Sequence, residues 1–183
     1  KPINTGWIEV ICGGMFSGKT EELLRRIRRS KIAKLSTIIF KPEIDNRYSK
    51  NKIVSHNKNS MNSINISKTN DLFELGKDYN VVGIDEAQFF DKKLIEACKN
   101  LANNKTRVIV AGLDTDYKGL PFGPMPDIMC EADYLDKLTA ICIKCGSDAS
   151  CTQRISKQTQ QVVIGETEFY EARCRKCFNP PKN

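Results

Sequence analysis

Short apolar runs alternate with amphipathic segments along most of the chain, and polar stretches separate them. Apolar, β-branched runs bounded by turn-forming residues are typical of buried strands, whereas apolar residues three and four positions apart indicate helices. The pattern predicts strands at 7–12, 36–41, 80–85 and 107–112, and helices at 20–29, 70–77 and 92–103. Because strands that alternate with helices build a parallel sheet covered on both sides, the predicted fold class is α/β.

Two changes in the pattern suggest how the chain is organised. Pro42 ends the second strand because proline has no N–H for a sheet ladder. The polar residues from about 43 to 67 predict a mobile loop or a short hairpin near the functional site. From about residue 138 the pattern changes to short strands and cysteine pairs, so we expect one domain at 1–138 and a second at 139–183.

The composition is that of an ordinary globular protein. Of the 183 residues, 28% are charged and 40% hydrophobic, and the length allows one domain with a sizeable core, or one domain plus a small appendage. We see neither an apolar run as long as a membrane span nor a signal peptide, and therefore expect no membrane association. The eight cysteines then indicate a reducing compartment, and we expect a cytoplasmic location.

Much of the formal net charge of +7 comes from one basic cluster in and after the first helix. Its members are Arg25, Arg26, Arg28, Arg29, Lys31 and Lys34. Such a cluster can bind nucleic acid. The interpretation we favour is the solvated outer face of a helix or a subunit contact. A stacking surface for bases would need interleaved aromatic residues, and this run has none, so we expect no nucleic-acid partner.

The octapeptide GGMFSGKT at Gly13–Thr20 matches the phosphate-binding loop pattern G-x-x-x-x-G-K-[ST]. It lies between a predicted strand and a predicted helix, where backbone N–H groups at a helix N-terminus can hold an anion. In this pattern Lys19 reaches the β- and γ-phosphates, and the Thr20 hydroxyl binds Mg²⁺. A chance match in an ordinary turn is the alternative, and the strand–loop–helix setting argues against it.

An acidic pair follows the third predicted strand. Asp85 lies at its carboxyl end, where open α/β sheets bind ligands, and can hold Mg²⁺ directly or through water. The adjacent Glu86 can act as a general base toward an attacking hydroxyl. Two solvated acids at a strand end would look the same, but an upstream phosphate loop favours a nucleotide site.

Four of the cysteines form two CxxC pairs separated by 28 residues. The pairs are Cys142 with Cys145 and Cys174 with Cys177. Two such pairs supply four thiolates for a tetrahedral, structural Zn²⁺ site that leaves no position open for water. Two unrelated turns or redox disulfides are the alternatives.

Taken together, these motifs resemble the cellular-type, zinc-containing thymidine kinases. The similarity rests on Gly13–Arg29, on IDEAQFF at Ile84–Phe90, on GLDTDYKGLPFG at Gly112–Gly123 and on the CxxC pairs, in that order. The resemblance implies a RecA-like P-loop domain with a parallel sheet and a small zinc-ribbon domain carrying a substrate-covering loop. It implies ATP- and Mg²⁺-dependent phosphorylation of thymidine, and of deoxyuridine, at the 5′-hydroxyl. It also implies a homotetramer and feedback inhibition by dTTP.

The resemblance assigns roles on the phosphate side of the site. Glu86 would be the catalytic base, and Mg²⁺ would be bound by Thr20, Asp45 and Asp85. The element D-x-R-Y at Asp45–Tyr48 adds Arg47 as a phosphate contact. The ATP-binding set is Gly13, Gly14, Met15, Phe16, Ser17, Gly18, Lys19, Thr20, Arg47, Asp85, Glu86, Ala87 and Gln88. An acid for Mg²⁺ and a cation for the transferring phosphoryl group agree with this assignment.

The resemblance also implies which residues line the nucleoside pocket. These are Met15, Phe89, Leu113, Tyr117 and Phe122, with Thr152, Val163 and Tyr170 from a loop over about 152–170. A pyrimidine needs flat apolar walls and a few polar groups. Core packing would also explain the aromatic residues, although the sequence around them is too polar for a core. The chain departs from the family at Gly14, where proline is usual, and at Tyr117, where phenylalanine is common.

Two rival functions remain at this point. A nucleic-acid motor would share the DEAQ sequence at Asp85–Gln88 and a zinc ribbon, but a helicase needs a second motor domain, for which 183 residues leave no room. A kinase for another small acceptor would share the whole phosphate site. The pocket between Phe89 and Phe122 favours a nucleoside and does not by itself select the base.

Overall fold

The computed structural model describes residues 5–43, 63–156 and 169–180. Its strands are β1 (Trp7–Gly13), β2 (Thr37–Pro42), β3 (Ile64–Ile66), β4 (Val81–Ile84), β5 (Arg107–Gly112), β6 (Tyr134–Leu138), β7 (Ala140–Ile141), β8 (Asp148–Ala149), β9 (Cys151–Arg154) and β10 (Tyr170–Arg173). Its α-helices are α1 (Lys19–Ile32), α2 (Asp71–Gly76), α3 (Lys93–Asn103) and α4 (Met125–Cys130), with a short 3-10 turn at Ala87–Phe89.

The first six strands form one parallel sheet in the order β3-β2-β4-β5-β1-β6. The middle strands β4, β5 and β1 are buried almost throughout, as expected for strands covered on both faces. Because all six strands run the same way, their carboxyl ends meet at one edge. The predicted α/β class with a parallel central sheet is confirmed.

Helices cover the sheet in two layers. On one face, Leu23 and Ile27 of α1 pack against Ile11, Ile39 and Ile109 of the sheet. On the other face, the core between the sheet and α2, α3 and α4 includes Phe40, Leu72, Leu94, Leu101 and Met125. The side chains of successive strand residues point to opposite faces, so one strand feeds both layers.

The seven predicted elements are all present, with boundaries within three residues of those expected. The sequence pattern missed β3, α4 and β6. β3 pairs with β2 within the stretch expected to be a loop or hairpin, and residues 44–62 of that stretch lie outside the described residues. β6 is a largely exposed edge strand, so it lacks the continuous apolar run on which the prediction depended.

A network of charged side chains lies between α1 and the sheet. The Glu9 carboxylate accepts hydrogen bonds from Arg26 at 2.8 Å and from Arg107 at 2.8 and 3.0 Å. Arg26 also bonds Glu22 and Asp136. Part of the basic cluster is therefore neutralised by acids on the helix and sheet. This observation favours a folded helix face over a free cationic stripe.

Two small antiparallel sheets follow the six-stranded sheet, one of β7 with β8 and one of β9 with β10. Their shared core is small, and its buried members are Ala140, Cys142, Ala149, Ala172 and Cys174. Within the part of the chain that the structure describes, no helix has the length and apolar character needed to cross a membrane.

Candidate active site

The phosphate-binding loop leaves β1 at the carboxyl edge of the sheet and leads into α1. Gly13 has φ +143°, and a Cβ there would lie 2.3 Å from the Leu138 carbonyl oxygen, so only glycine fits. Gly18 has φ +82° and begins the helix without a side chain to cap it. The first N–H groups of α1 therefore point into the loop, which is the arrangement that binds phosphate.

Two side chains of the loop bond to its own backbone. The Ser17 hydroxyl and the Lys19 ammonium donate to the Gly14 carbonyl at 2.8 and 2.7 Å. Burial lowers the pKa of Lys19, and the nearby carboxylates of Glu86 and Asp85 oppose that shift. Lys19 thus lies over the phosphate loop with acids beside it. Phe16, at φ +66°, is exposed on the rim of the loop.

Asp85 meets Thr20 at the carboxyl end of β4. The Thr20 hydroxyl lies 3.2 and 3.3 Å from the two carboxylate oxygens of Asp85, which is buried. Hydroxyl and carboxylate oxygens are ligands that Mg²⁺ prefers, so these residues fit the expected ion. Lys41, the fifth residue of β2, lies 3.5 Å from the same carboxylate. The sequence analysis did not single out Lys41, although its place at the carboxyl edge beside β4 is a usable signal.

Glu86 follows Asp85 in a left-handed backbone conformation, with φ +54°. Its N–H donates to Asp85 Oδ1 at 3.0 Å, and its carboxylate accepts a hydrogen bond from Gln88 Nε2 at 2.6 Å. Burial raises the pKa of Glu86 and the charge of Asp85 raises it further, against the hydrogen bond from Gln88. Ala87 is fully buried in the core, so it can offer only its backbone to a ligand.

Aromatic and apolar residues stand next to the acidic pair. Phe89 and Phe122 pack edge to face, with ring centroids 5.6 Å apart. The Leu113 N–H donates to Gln88 Oε1 at 3.0 Å, which connects Leu113 to the segment that carries Phe89. Tyr117 and Phe122 are buried, whereas Phe89 and Leu113 keep partial exposure. Four residues expected in the nucleoside pocket thus lie in the segments that follow β4 and β5, at the carboxyl edge of the sheet.

The cysteine-rich segment, residues 139–156 and 169–180, contacts both the phosphate loop and Tyr117. Thr152 of β9 accepts a hydrogen bond from the Met15 N–H at 3.0 Å, which joins it to the phosphate loop. Arg154, two residues further along the strand, stacks on the Tyr117 ring at 3.5 Å and donates to the Tyr170 hydroxyl at 2.8 Å. Arg154 was missed by the sequence analysis. Its signal is the two-residue period of a strand, which places it on the same face as Thr152.

The thiols of Cys142, Cys145, Cys174 and Cys177 converge, with all four sulfur atoms within 4.8 Å of one another. The closest described approach, 3.6 Å between Cys145 and Cys174, is far longer than a disulfide bond. A tetrahedral zinc site with bonds of about 2.3 Å separates its sulfurs by about 3.8 Å, and the cluster is compact enough for such a site. Burial alone would raise the pKa of Cys142, but nearby backbone N–H groups lower it to about 6, whereas hydrogen bonds with the neighbouring thiols raise the pKa of Cys177 to about 12. The cluster could therefore hold a metal such as zinc.

Three of the expected site residues are not placed by the structure. Asp45 and Arg47 belong to 44–62, and Val163 belongs to 157–168, both of which lie outside the described residues. Their assigned roles stay predictions.

The fold and the site together define a P-loop nucleotide-binding α/β protein with an acidic pair beside its phosphate loop and a four-cysteine cluster. The sequence model of the thymidine kinase family matches residues 6–178. A thymidine kinase from Rhodothermus sp. is 51% identical over 98% of this chain and 84% of its own length. One from Bacteroides fragilis is 54% identical over 94% of this chain and 87% of its own length. The chain belongs to the thymidine kinase family, a family of enzymes.

The genome packaging NTPase of Sulfolobus turreted icosahedral virus 2, in complex with sulfate, aligns with a TM-score of 0.45 at 19% identity, over 76% of each chain.

Proposed function

We propose that this protein transfers the γ-phosphoryl group of ATP to the 5′-hydroxyl of thymidine, giving thymidine monophosphate, and that deoxyuridine is a second substrate. One observation carries the proposal. Glu86 directly follows Asp85, which meets Thr20 of the phosphate loop, and it stands three residues before Phe89, which packs on Phe122. A base at the junction of a donor site and an acceptor site is what phosphoryl transfer to a hydroxyl requires. The names of the relatives support thymidine as the acceptor.

On the donor side, the backbone N–H groups of Gly13–Thr20 hold the phosphates, and Lys19 neutralises charge on the β- and γ-phosphates. Thr20 and Asp85, together with Asp45, would hold Mg²⁺, which when bound neutralises charge on the phosphoryl oxygens. Arg47 adds a second cation for the transferring group. This division of labour makes positioning and electrostatics the main sources of acceleration.

On the acceptor side, Glu86 accepts the proton of the 5′-hydroxyl while that oxygen attacks the γ-phosphorus in line. The new oxygen–phosphorus bond forms as the bond to the leaving ADP breaks, and the proton resides on Glu86. Phe89, Phe122 and Leu113 orient the nucleoside so that its hydroxyl faces the phosphate. Positioning of this kind is needed because a misplaced acceptor loses most of the rate.

The four-cysteine cluster supports the site from outside. We propose that it holds a structural Zn²⁺, because the small core of alanines and cysteines around it buries little apolar surface of its own. The boundary near residue 138 then separates a nucleotide-binding domain from a zinc domain that contacts Met15 and Tyr117. The homotetramer and the feedback inhibition by dTTP implied by the family resemblance belong to the same proposal.

The test combines a product assay with one variant. The protein is incubated with ATP, Mg²⁺ and each of the four deoxynucleosides, and the monophosphate is identified by chromatography. Glu86→Gln should retain nucleotide binding and lose about 10²- to 10⁴-fold in kcat, the usual contribution of a general base. Glu131→Gln is the matched control, since Glu131 is an exposed acid paired with Lys99 on the surface.

Several results would contradict the proposal. Near-normal turnover of Glu86→Gln would show that Glu86 is not the general base. Phosphorylation of a different deoxynucleoside would support a nucleoside kinase and refute thymidine as its substrate. ATPase activity stimulated by single-stranded DNA and unaffected by thymidine would instead support the nucleic-acid motor.

A further inference from the structure

Gln88 is a buried amide beside the candidate base, with only 3% of its surface exposed. Both ends of its side chain are used. Gln88 Nε2 donates to Glu86 Oε2 at 2.6 Å, and Gln88 Oε1 accepts the N–H of Leu113 at 3.0 Å. The backbone N–H of Leu113 can only donate and an ionised carboxylate can only accept, so a flipped amide would lose both bonds. The amide orientation is therefore determined from both sides.

Glu86 needs such support because it lies outside regular structure. It occupies the left-handed region between β4 and the short 3-10 turn, with φ +54° and ψ +39°. A glutamate side chain has several rotatable bonds and loses considerable freedom when it is held in one orientation. Hydrogen bonds to charged groups are shorter and stronger than neutral ones, so the bond from Gln88 can impose that orientation.

The loop that carries the nucleoside wall encloses Gln88. A Cβ at Gly112 would lie 3.0 Å from Gln88 Oε1, and a Cβ at Gly123 would lie 2.2 Å from the Gln88 carbonyl oxygen. The segment 112–123 that contains Leu113, Tyr117 and Phe122 thus begins and ends against this one residue. The position of that loop is therefore coupled to Gln88 by close packing at both of its ends.

We propose that Gln88 is a positioning residue that holds the Glu86 carboxylate toward the acceptor hydroxyl and ties that orientation to the wall of the nucleoside pocket. This inference rests on the proposed function, in which Glu86 is the base. The family resemblance places Gln88 among the ATP-binding residues. Its side chain contacts Glu86 and Leu113, so its substitution should affect the chemical step more than the binding of ATP.

The first variants are Gln88→Met and Gln88→Glu, assayed in the full chain with ATP, Mg²⁺ and thymidine. Methionine keeps the size and removes both hydrogen bonds. Glutamate keeps an acceptor for the Leu113 N–H, removes the amide donor and places a second carboxyl group beside Glu86, which raises the pKa of the pair and hinders its action as a base. Each should lower kcat about 10- to 100-fold, the value of one hydrogen bond to a charged group, and leave the KM for ATP unchanged. A rise in the KM for ATP with an unchanged kcat in both variants would overturn the inference.

A double-mutant cycle distinguishes positioning from an independent role. If Gln88 acts through Glu86, Gln88→Met should cause no further loss of kcat in a Glu86→Gln background. An equal fall in both backgrounds would overturn the inference. Normal turnover of Glu86→Gln alone would refute the base assignment itself, whereas an inactive Glu86→Gln with a fully active Gln88→Met would refute only the role of Gln88.

Thr106→Val is the control for lost stability. Thr106 is 1% exposed, and its hydroxyl donates to the Tyr79 carbonyl at 3.1 Å just before β5, at the opposite edge of the sheet from the site. Valine has the same shape and cannot make this bond. The variant should lower the melting temperature and keep kcat. If Thr106→Val lowers kcat as much as Gln88→Met does, the effect at Gln88 is a general consequence of destabilisation and the inference fails.

Discussion

Replacing Glu9 by glutamine should destabilise the fold in a way that depends on pH. Glu9 lies on the face of β1 that is covered by α1, where it is only 3% exposed. Its carboxylate accepts hydrogen bonds from the Trp7 indole at 2.6 Å, from Arg26 and twice from Arg107. Glutamine has nearly the same shape, but it removes the negative charge and turns an N–H group toward a guanidinium. The partly buried arginines are then left without their counter-charge.

The size of the effect follows from the pKa of Glu9. Burial alone would raise that pKa, but the hydrogen bonds from Arg107, Trp7 and Arg26 lower it from 4.5 to about 2. A pKa lowered from 4.5 to about 2 corresponds to an upper bound of about 3 kcal/mol of stabilisation. Because the folded-state pKa is depressed, this stabilisation is complete well above pH 4.5 and is lost as the pH falls toward 2. We therefore expect Glu9→Gln to lower the free energy of unfolding by about 2 to 3 kcal/mol at pH 7.

Urea denaturation at pH 7 and pH 3.5, followed by tryptophan fluorescence, measures this difference. The gap between the unfolding free energies of the natural chain and Glu9→Gln should narrow by about 1 kcal/mol at the lower pH. Glu131→Gln removes an exposed ion pair with Lys99 and should cost less than about 1 kcal/mol. A gap of the same size at both pH values, or an equal loss in Glu131→Gln, would refute the reasoning.

Two further predictions concern the cysteine-rich segment. Arg154→Met removes the buried stack on Tyr117 and should raise the KM for thymidine about 10- to 100-fold with an unchanged KM for ATP. Arg25→Met, at an exposed arginine, should change neither KM value. Steady-state kinetics with each substrate varied in turn measures both KM values, and a rise in both for Arg154→Met would contradict the prediction. Cys174→Ser should reduce the zinc content from about one per chain to near zero and abolish the activity. Cys130→Ser, at an exposed cysteine outside the cluster, should change neither. Metal analysis that finds full zinc in Cys174→Ser would contradict the assignment.

The pattern of apolar residues in the sequence was enough to predict the strands in the middle of the sheet. β1, β4 and β5 are buried on both faces, so their residues form continuous apolar runs that stand out in the sequence. β3 and β6 lie at the two edges, and β6 reads Tyr-Leu-Asp-Lys-Leu, with two adjacent charges in its middle and nearly every residue exposed. Such a strand is stabilised by pairing with a strand that is distant in the sequence. The local pattern of residues therefore cannot predict it.

The candidate site divides in the same way. Gly13–Thr20 and the cysteine pairs were recognisable because their spacing along the chain is itself the chemical requirement. The ion pair of Lys41 with Asp85 and the stack of Arg154 on Tyr117 have no such spacing, because each joins residues from different elements. The role now proposed for Gln88 also required coordinates, since it depends on a hydrogen bond from Leu113, 25 positions away.

The sequence alone determined the phosphate loop, the acidic pair, the cysteine pairs, the α/β class and the resemblance to thymidine kinases. Each of these depends on residues that are close in the sequence or on a regular spacing of apolar residues. Only the tertiary structure decided which side chains meet. Parallel strands bring their carboxyl ends to one edge whatever their order along the chain, and that edge places Thr20 against Asp85. The same edge brings the loop after β5 to the turn after β4, where the Leu113 N–H bonds Gln88, a contact that depends on strand order and not on any local run of residues.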